Sequence, residues 1–107
     1  MSYFELPSPP AGAFDPSAAV VACIESGERA LLADEGALPP AFFDLSTGVA
    51  GAMVQKLTQY GLRMAVVVPD PSVHSGPFQD FAHEASRSAT FRFFPDRASA
   101  VAWLEAG

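Results

Sequence analysis

Two stretches of this chain are apolar without alternation, Ala30-Leu31-Leu32-Ala33 and Leu62 to Val68, which reads LRMAVVV before Pro69. Runs of this kind suit strands covered on both faces, because a strand with one wet face would show polar residues at every second position. Between them Phe42, Leu45, Val49, Met53, Leu57 and Tyr60 recur at three- and four-residue steps up to Gly61, which predicts one long helix with a glycine stop. Upstream, Asp15-Pro16 reads as a helix cap and first position, followed by Ala19, Val20, Cys23 and Ile24 at helical spacing. Downstream, Ser75-Gly76-Pro77 opens a helix with the stripe Phe78, Phe81, Ala82 and Ala85. Phe91 to Phe94 makes a short strand, and Asp96 caps a last helix carrying Val101, Trp103 and Leu104. Pro7-Ser8-Pro9-Pro10 precludes a helix at the start, so residues 1–14 read as an arm or an edge strand, with at most a short strand at Tyr3 to Leu6.

Strands alternating with helices predict an α/β domain built on a single, mainly parallel sheet, since each helix returns the chain to the same end of the sheet. Leu31, Leu32, Ala65, Val66 and Val67 are its expected centre. A length of 107 residues fits one domain, and 50% hydrophobic against 17% charged residues gives a composition that folds.

The formal net charge of -6 opposes nucleic acid and anionic lipid, and the six basic residues form no cluster in sequence. The single cysteine excludes an internal disulfide. No signal peptide and no apolar run long enough to span a bilayer is visible, so a cytoplasmic protein without membrane partners is expected.

Ligands of parallel α/β sheets favour the crevice at the strand carboxyl ends. Asp34, Glu35, Asp44 and Asp70 all fall there, and four convergent carboxylates would form an oxygen-donor site for a hard cation. The weightier reading is that these acids cap amides and complement helix dipoles, so no metal or other cofactor is assigned. His74 and His83 have no partner at zinc-ligand spacing. Cys23, mid-helix among apolar residues, reads as a small core residue, and the serine-hydrolase elbow and the glycine-rich phosphate loops are absent.

Gly48 and Gly51 stand within the long helical pattern, where each should cost about 1 kcal/mol relative to alanine. The leading account is close packing of the helix against a neighbouring surface. The other is that the helix starts near Ser46, with Ser46 or Thr47 as its cap, at an exposed amino end that favours a phosphate.

The segment Phe42-Phe43-Asp44-Leu45, Thr47-Gly48, Ala50-Gly51, Gln55-Lys56 and Tyr60, with Asp80, Phe81 and Glu84 behind it, resembles the bacterial domain-of-unknown-function family 4180 (DUF4180) over roughly residues 15 to 105. Ala52 stands where that family usually has glutamate, and Ala85-Ser86 replaces its Ser-Asn pair. The order strand, turn, Phe-Phe-Asp-Leu-Ser-Thr-Gly, helix, strand is also similar to STAS domains, those shared by sulfate transporters and anti-sigma-factor antagonists. In such domains a serine at the start of the corresponding helix is phosphorylated to control docking. The likeness implies Ser46 or Thr47, with preference for Thr47, as a switch hydroxyl flanked by Asp44.

The leading expectation is a regulatory or protein-interaction module without enzymatic activity, monomeric or homodimeric. Its partner is expected to dock on the edge bearing Asp34, Asp44, Ser46, Thr47, Gly48 and Asp70. The alternative is a small-molecule or metal-binding domain, with or without catalysis, that uses Asp34, Asp44 and Asp70 in one crevice.

Overall fold

Strands β2 (Ala30–Asp34) and β3 (Arg63–Val67) pair in parallel, and Leu31, Leu32, Ala65, Val66 and Val67 are all buried between them and the layers above and below. The structure is a computed structural model that describes residues 3–6, 15–38, 40–70, 74, 76–85 and 87–106. Within them the sheet has four strands, all parallel, in the order β1 (Phe4–Glu5), β2, β3 and β4 (Phe91–Phe94). Chain order and spatial order coincide. With crossovers of one hand, helices joining strands laid down steadily in one direction must share a face.

Helices α1 (Pro16–Glu25), α2 (Val49–Tyr60) and α3 (Gly76–Ala85) do share one. Leu31, Ala33, Met64, Val66 and Phe91 form a single cluster with Val20, Cys23, Met53, Leu57 and Phe78 from these helices. Helix α4 (Arg97–Ala106) follows the last strand and has no further strand to reach; it covers the opposite face, where Ala100 and Leu104 meet Ala30, Leu32, Ala65 and Val67. Odd and even strand positions thus separate cleanly between two apolar layers, as the two-residue repeat of a strand requires.

The helix boundaries follow local chemistry. The Asp15 carboxylate accepts the Ser17 amide at 3.0 Å with Pro16 at the first helical position, and Asp96 accepts the Ser99 amide at 2.7 Å to start α4. Arg97 holds Glu5 through two hydrogen bonds of 2.9 and 2.6 Å, tying α4 to the edge strand. Gly61 closes α2 at φ 67°, its own amide and that of Leu62 returning to Thr58 and Leu57, the arrangement a left-handed glycine permits. The proline-rich stretch 7–14 and the helix-opening Ser75 lie outside the described residues.

The long helix expected from Phe42 is shorter than its apolar stripe. Residues Pro40–Phe43 and Leu45–Thr47 form successive 3-10 turns, and the α-helix begins only at Val49. Side chains compete with the helix here: Asp44 Oδ1 accepts the Ser46 amide at 3.0 Å, and the Thr47 hydroxyl donates to the carbonyls of Ala41 and Asp44 at 2.6 and 2.8 Å. Gly48 then turns the chain at φ 77°. Three-residue steps serve a 3-10 turn as well as an α-helix, so the stripe ran on through the boundary.

Close packing therefore does not explain the glycines. A Cβ built on Gly48 or Gly51 meets nothing within 4 Å, and both residues are exposed. Gly48 is required by its left-handed backbone; Gly51 lies in the first turn of α2 beside open solvent. Gly48→Ala should cost about 1–2 kcal/mol because it forces a side chain into the left-handed region. Gly51→Ala should raise stability by up to about 1 kcal/mol. Urea midpoints of the two variants against the parent test both, and a stabilised Gly48→Ala would contradict the assigned helix start.

Candidate functional site at the strand carboxyl ends

Parallel strands bring the ends of β2, β3 and β4 to one edge, so the segments that follow Asp34, Val67 and Phe94 gather there. Asp34, Glu35 and Asp70 lie in or next to those segments, and Asp44 to Gly48 lie in the connection from β2 to α2. Asp34 is half-buried and its side chain caps nothing, while Asp44 and Asp70 are exposed. Among the described residues no group of three or more His, Cys, Asp or Glu side chains is placed to hold a metal ion. Asp34, Asp44 and Asp70 are therefore not gathered as a set of metal ligands among the described residues.

Ser46 and Thr47 differ in what their hydroxyls do. The Ser46 hydroxyl bonds Asp44 Oδ1 at 2.6 Å and faces solvent. This hydroxyl first, and then the Ser46 amide, hold the Asp44 carboxyl below its ordinary range. Thr47 Oγ1 donates back to Ala41 and Asp44 and accepts the Val49 amide at 3.3 Å, so it staples the 3-10 turns to the start of α2. Neither residue is the helix cap, a position taken by Gly48.

One polar contact at this edge, between His74 and Glu35, had no signal in the local sequence. His74 Nε2 lies 2.6 Å from Glu35 Oε2, with side-chain exposures of 15% and 35%. The imidazole stacks on Phe43 at 4.3 Å between centroids, with 7° between planes, and meets the Phe78 ring edge-to-face at 4.9 Å. Gln79 Nε2 donates to the His74 carbonyl at 2.9 Å, which fixes the backbone beneath the ring. An ionised Glu35 selects the tautomer that carries its proton on Nε2. Topology held the signal: Glu35 follows β2 and His74 follows β3, two adjacent parallel strands, so both loops leave the sheet side by side.

Phe78 is also the wall of an open cleft of about 310 Å³ between α3 and the ends of β3 and β4. Val68, Phe94 and Ala82 give it an apolar floor, and Gln79 and His83 stand at its rim. Ring contacts run from Phe43 and His74 to Phe78, whose buried side chain forms the wall of this cleft.

Cys23 belongs to none of this. It is fully buried, its Sγ 3.4 Å from the Glu28 carbonyl, and burial, with Glu28 adding to it, pushes its thiol up to about 11.

A four-stranded parallel sheet with three helices on one face and one on the other defines a small α/β domain. Residues 15–104 match the family described as a domain of unknown function, DUF4180, and the chain belongs to that family. No curated protein and no solved structure matches it. Among the described residues no helix is long and apolar enough to cross a membrane.

Thr47→Ala should cost about 1 kcal/mol through loss of the staple, whereas Ser46→Ala should stay within about 0.5 kcal/mol of the parent. Equal denaturant midpoints for the two would remove the distinction drawn here. A second expectation concerns Cys23. Its folded thiol keeps its proton above the ordinary value of 9.0, so the contribution to stability is full below that pH and is lost as pH rises from 9.0 toward about 11. Below that window a thiol reagent should modify Cys23 no faster than the chain unfolds; rapid labelling of the native protein would show the site to be open.

Proposed function

We propose that the chain is a non-enzymatic interaction module that docks a protein partner on the carboxyl edge of its sheet. The observation that carries this is the open apolar cleft at that edge, walled by Phe78, whose ring packs on Phe43 just ahead of the exposed residues Asp44 and Ser46 to Gly48. Asp34, Glu35, Asp44 and Asp70 add negative charge along the same edge of an already acidic chain. That complementarity favours a basic partner segment carrying an apolar side chain for the cleft. In this reading, and by likeness to STAS domains, Ser46 is the better switch position. Charge added there meets Asp44 and solvent, whereas charge at Thr47 breaks the staple that holds the turn.

Selection of a random displayed-peptide library on the folded chain tests the reading. Bound peptides should be rich in Lys and Arg around one aromatic or aliphatic residue. Ala82→Arg, which fills the cleft from a half-buried position, should abolish their binding without loss of thermal stability, and Ser46→Glu should alter it. Acidic or charge-indifferent peptides, or equal binding to Ala82→Arg, would contradict it.

A small ligand in the same cleft is the second reading, favoured by a volume of about 310 Å³, at the lower end of small-molecule sites. Fragment binding that Ala82→Arg removes, with no peptide selected, would establish it instead.

A further inference from the structure

The α4 face of the sheet carries two arginines on neighbouring strands. Arg63 opens β3 and Arg92 is the second residue of β4, and their strand parity places both with Ala65 and Phe94 on that face. Ala65 is the register partner of Arg92, which makes Arg63 its diagonal neighbour. Such neighbours stand roughly 7–8 Å apart.

Like charges at this spacing repel, yet both are pinned in place. Arg63 Nε donates to the Ala89 carbonyl at 3.2 Å and Arg92 Nε to the Ser88 carbonyl at 2.7 Å, two successive carbonyls of one turn. Both guanidinium carbons lie over the indole of Trp103, at 4.1 and 5.3 Å from the ring centroid.

What these contacts leave over is a set of donors. Arg63 Nη1 is buried with no acceptor among the described residues. The ion pairs among those residues, Glu35 with His74 and Glu5 with Arg97, use neither arginine. The chain has twelve acidic residues against six basic ones, so carboxylates are plentiful, yet none of these pairs reaches the two arginines. The acid on the nearby turn of α4, Glu105, is exposed and stands about 200° around the helix from Trp103. Two planar forks, fixed at Nε and backed by an aromatic ring, present their remaining N–H groups in the geometry that matches an oxyanion.

We propose that Arg63 and Arg92, backed by Trp103, bind the carboxylate or phosphate group of a small ligand at the amino half of the sheet's α4 face. This lies opposite the docking edge and is independent of it. All three residues are partly exposed, so a small ligand can approach the pair from solvent. Long-range repulsion from a chain of net charge -6 restricts the occupant to a small anion and excludes a polyanion.

Trp103 is the chain's only tryptophan, so its emission reads this site alone. The full chain is titrated with inorganic phosphate and, separately, with acetate, with sodium chloride holding ionic strength constant. A saturable change in emission, with a raised Tm at saturation, is expected for at least one of them. Response to phosphate alone assigns a phosphate ligand, and response to acetate assigns a carboxylate. Arg92→Gln should weaken the midpoint by about tenfold or more, the range of a lost hydrogen bond to a charged group. Arg97→Gln, which removes a cation elsewhere, should titrate as the parent. The proposal fails if chloride gives the same emission change, if neither anion saturates, if Arg92→Gln titrates as the parent, or if Arg97→Gln weakens binding equally.

Discussion

Burial of β2 and β3 on both faces is the constraint from which the other features follow. Leu31 and Val66 are wholly covered on one side of the sheet and Leu32 and Ala65 on the other. Fully burying a Leu or Val side chain stabilises by about 1.5–3 kcal/mol, and that gain is available only if both layers are supplied. One layer comes free with the topology, since three crossovers of one hand lay α1, α2 and α3 on a single face. The other depends wholly on α4. This accounts for a short terminal helix carrying Ala100, Leu104 and Trp103 on one side, and for the paired hydrogen bonds from Arg97 to Glu5 that fasten its start to the edge strand.

The carboxyl edge inherits its form from the same arrangement. Phenylalanines finish the core where the strands end: Phe42, Phe43, Phe78 and Phe91 are buried, and Phe93 is partly buried against them. Their rings contact one another edge-to-face or tilted, at centroid separations from 4.9 to 6.3 Å, so this strip of rings is a packed cluster behind the cleft. His74 joins by stacking on Phe43, and Glu35 then holds the ring in register. A partner that pressed on this strip would meet a preorganised surface, which lowers the ordering cost of association.

The sheet was legible because period and composition agreed for it. The unbroken apolar runs at Ala30–Ala33 and Leu62–Val68 required two-sided cover, and the helix caps at Asp15, Gly61 and Asp96 follow from residue chemistry alone. The start of α2 was not legible, since Phe42 and Leu45 continue a stripe that a 3-10 turn satisfies as well as an α-helix does. The choice between them lay in hydrogen bonds of Asp44 and Thr47 that residue types permit but do not dictate. Gly48 and Gly51 looked alike in sequence, although one is set by a left-handed backbone and the other stands in open space. The site divided in the same way. Placement of Asp34, Asp44 and Asp70 near one edge followed from strand order, but convergence depends on where side chains point, and these do not converge. The Glu35 and His74 pair arises across 39 positions of sequence, from loop proximity that only the β2 to β3 register reveals.

The distribution of charge gives the domain two unlike ends. Acids follow the strands at the carboxyl edge, where four of them stand in an already acidic chain, while Arg63 and Arg92 sit near the strand amino ends beneath α4. Helix packing enforces the separation. Trp103 occupies the last two turns of α4, and its ring covers two guanidiniums that would otherwise need carboxylates to be tolerated beside an apolar layer. The cation and ring contact is a milder form of neutralisation than an ion pair, because the positive charge persists and neither ion pair named above takes up the outer donors. A carboxylate supplied by the chain would have sealed those donors. An aromatic ring supports both guanidiniums without cancelling their charge, near the strand ends opposite Asp34 and Asp70.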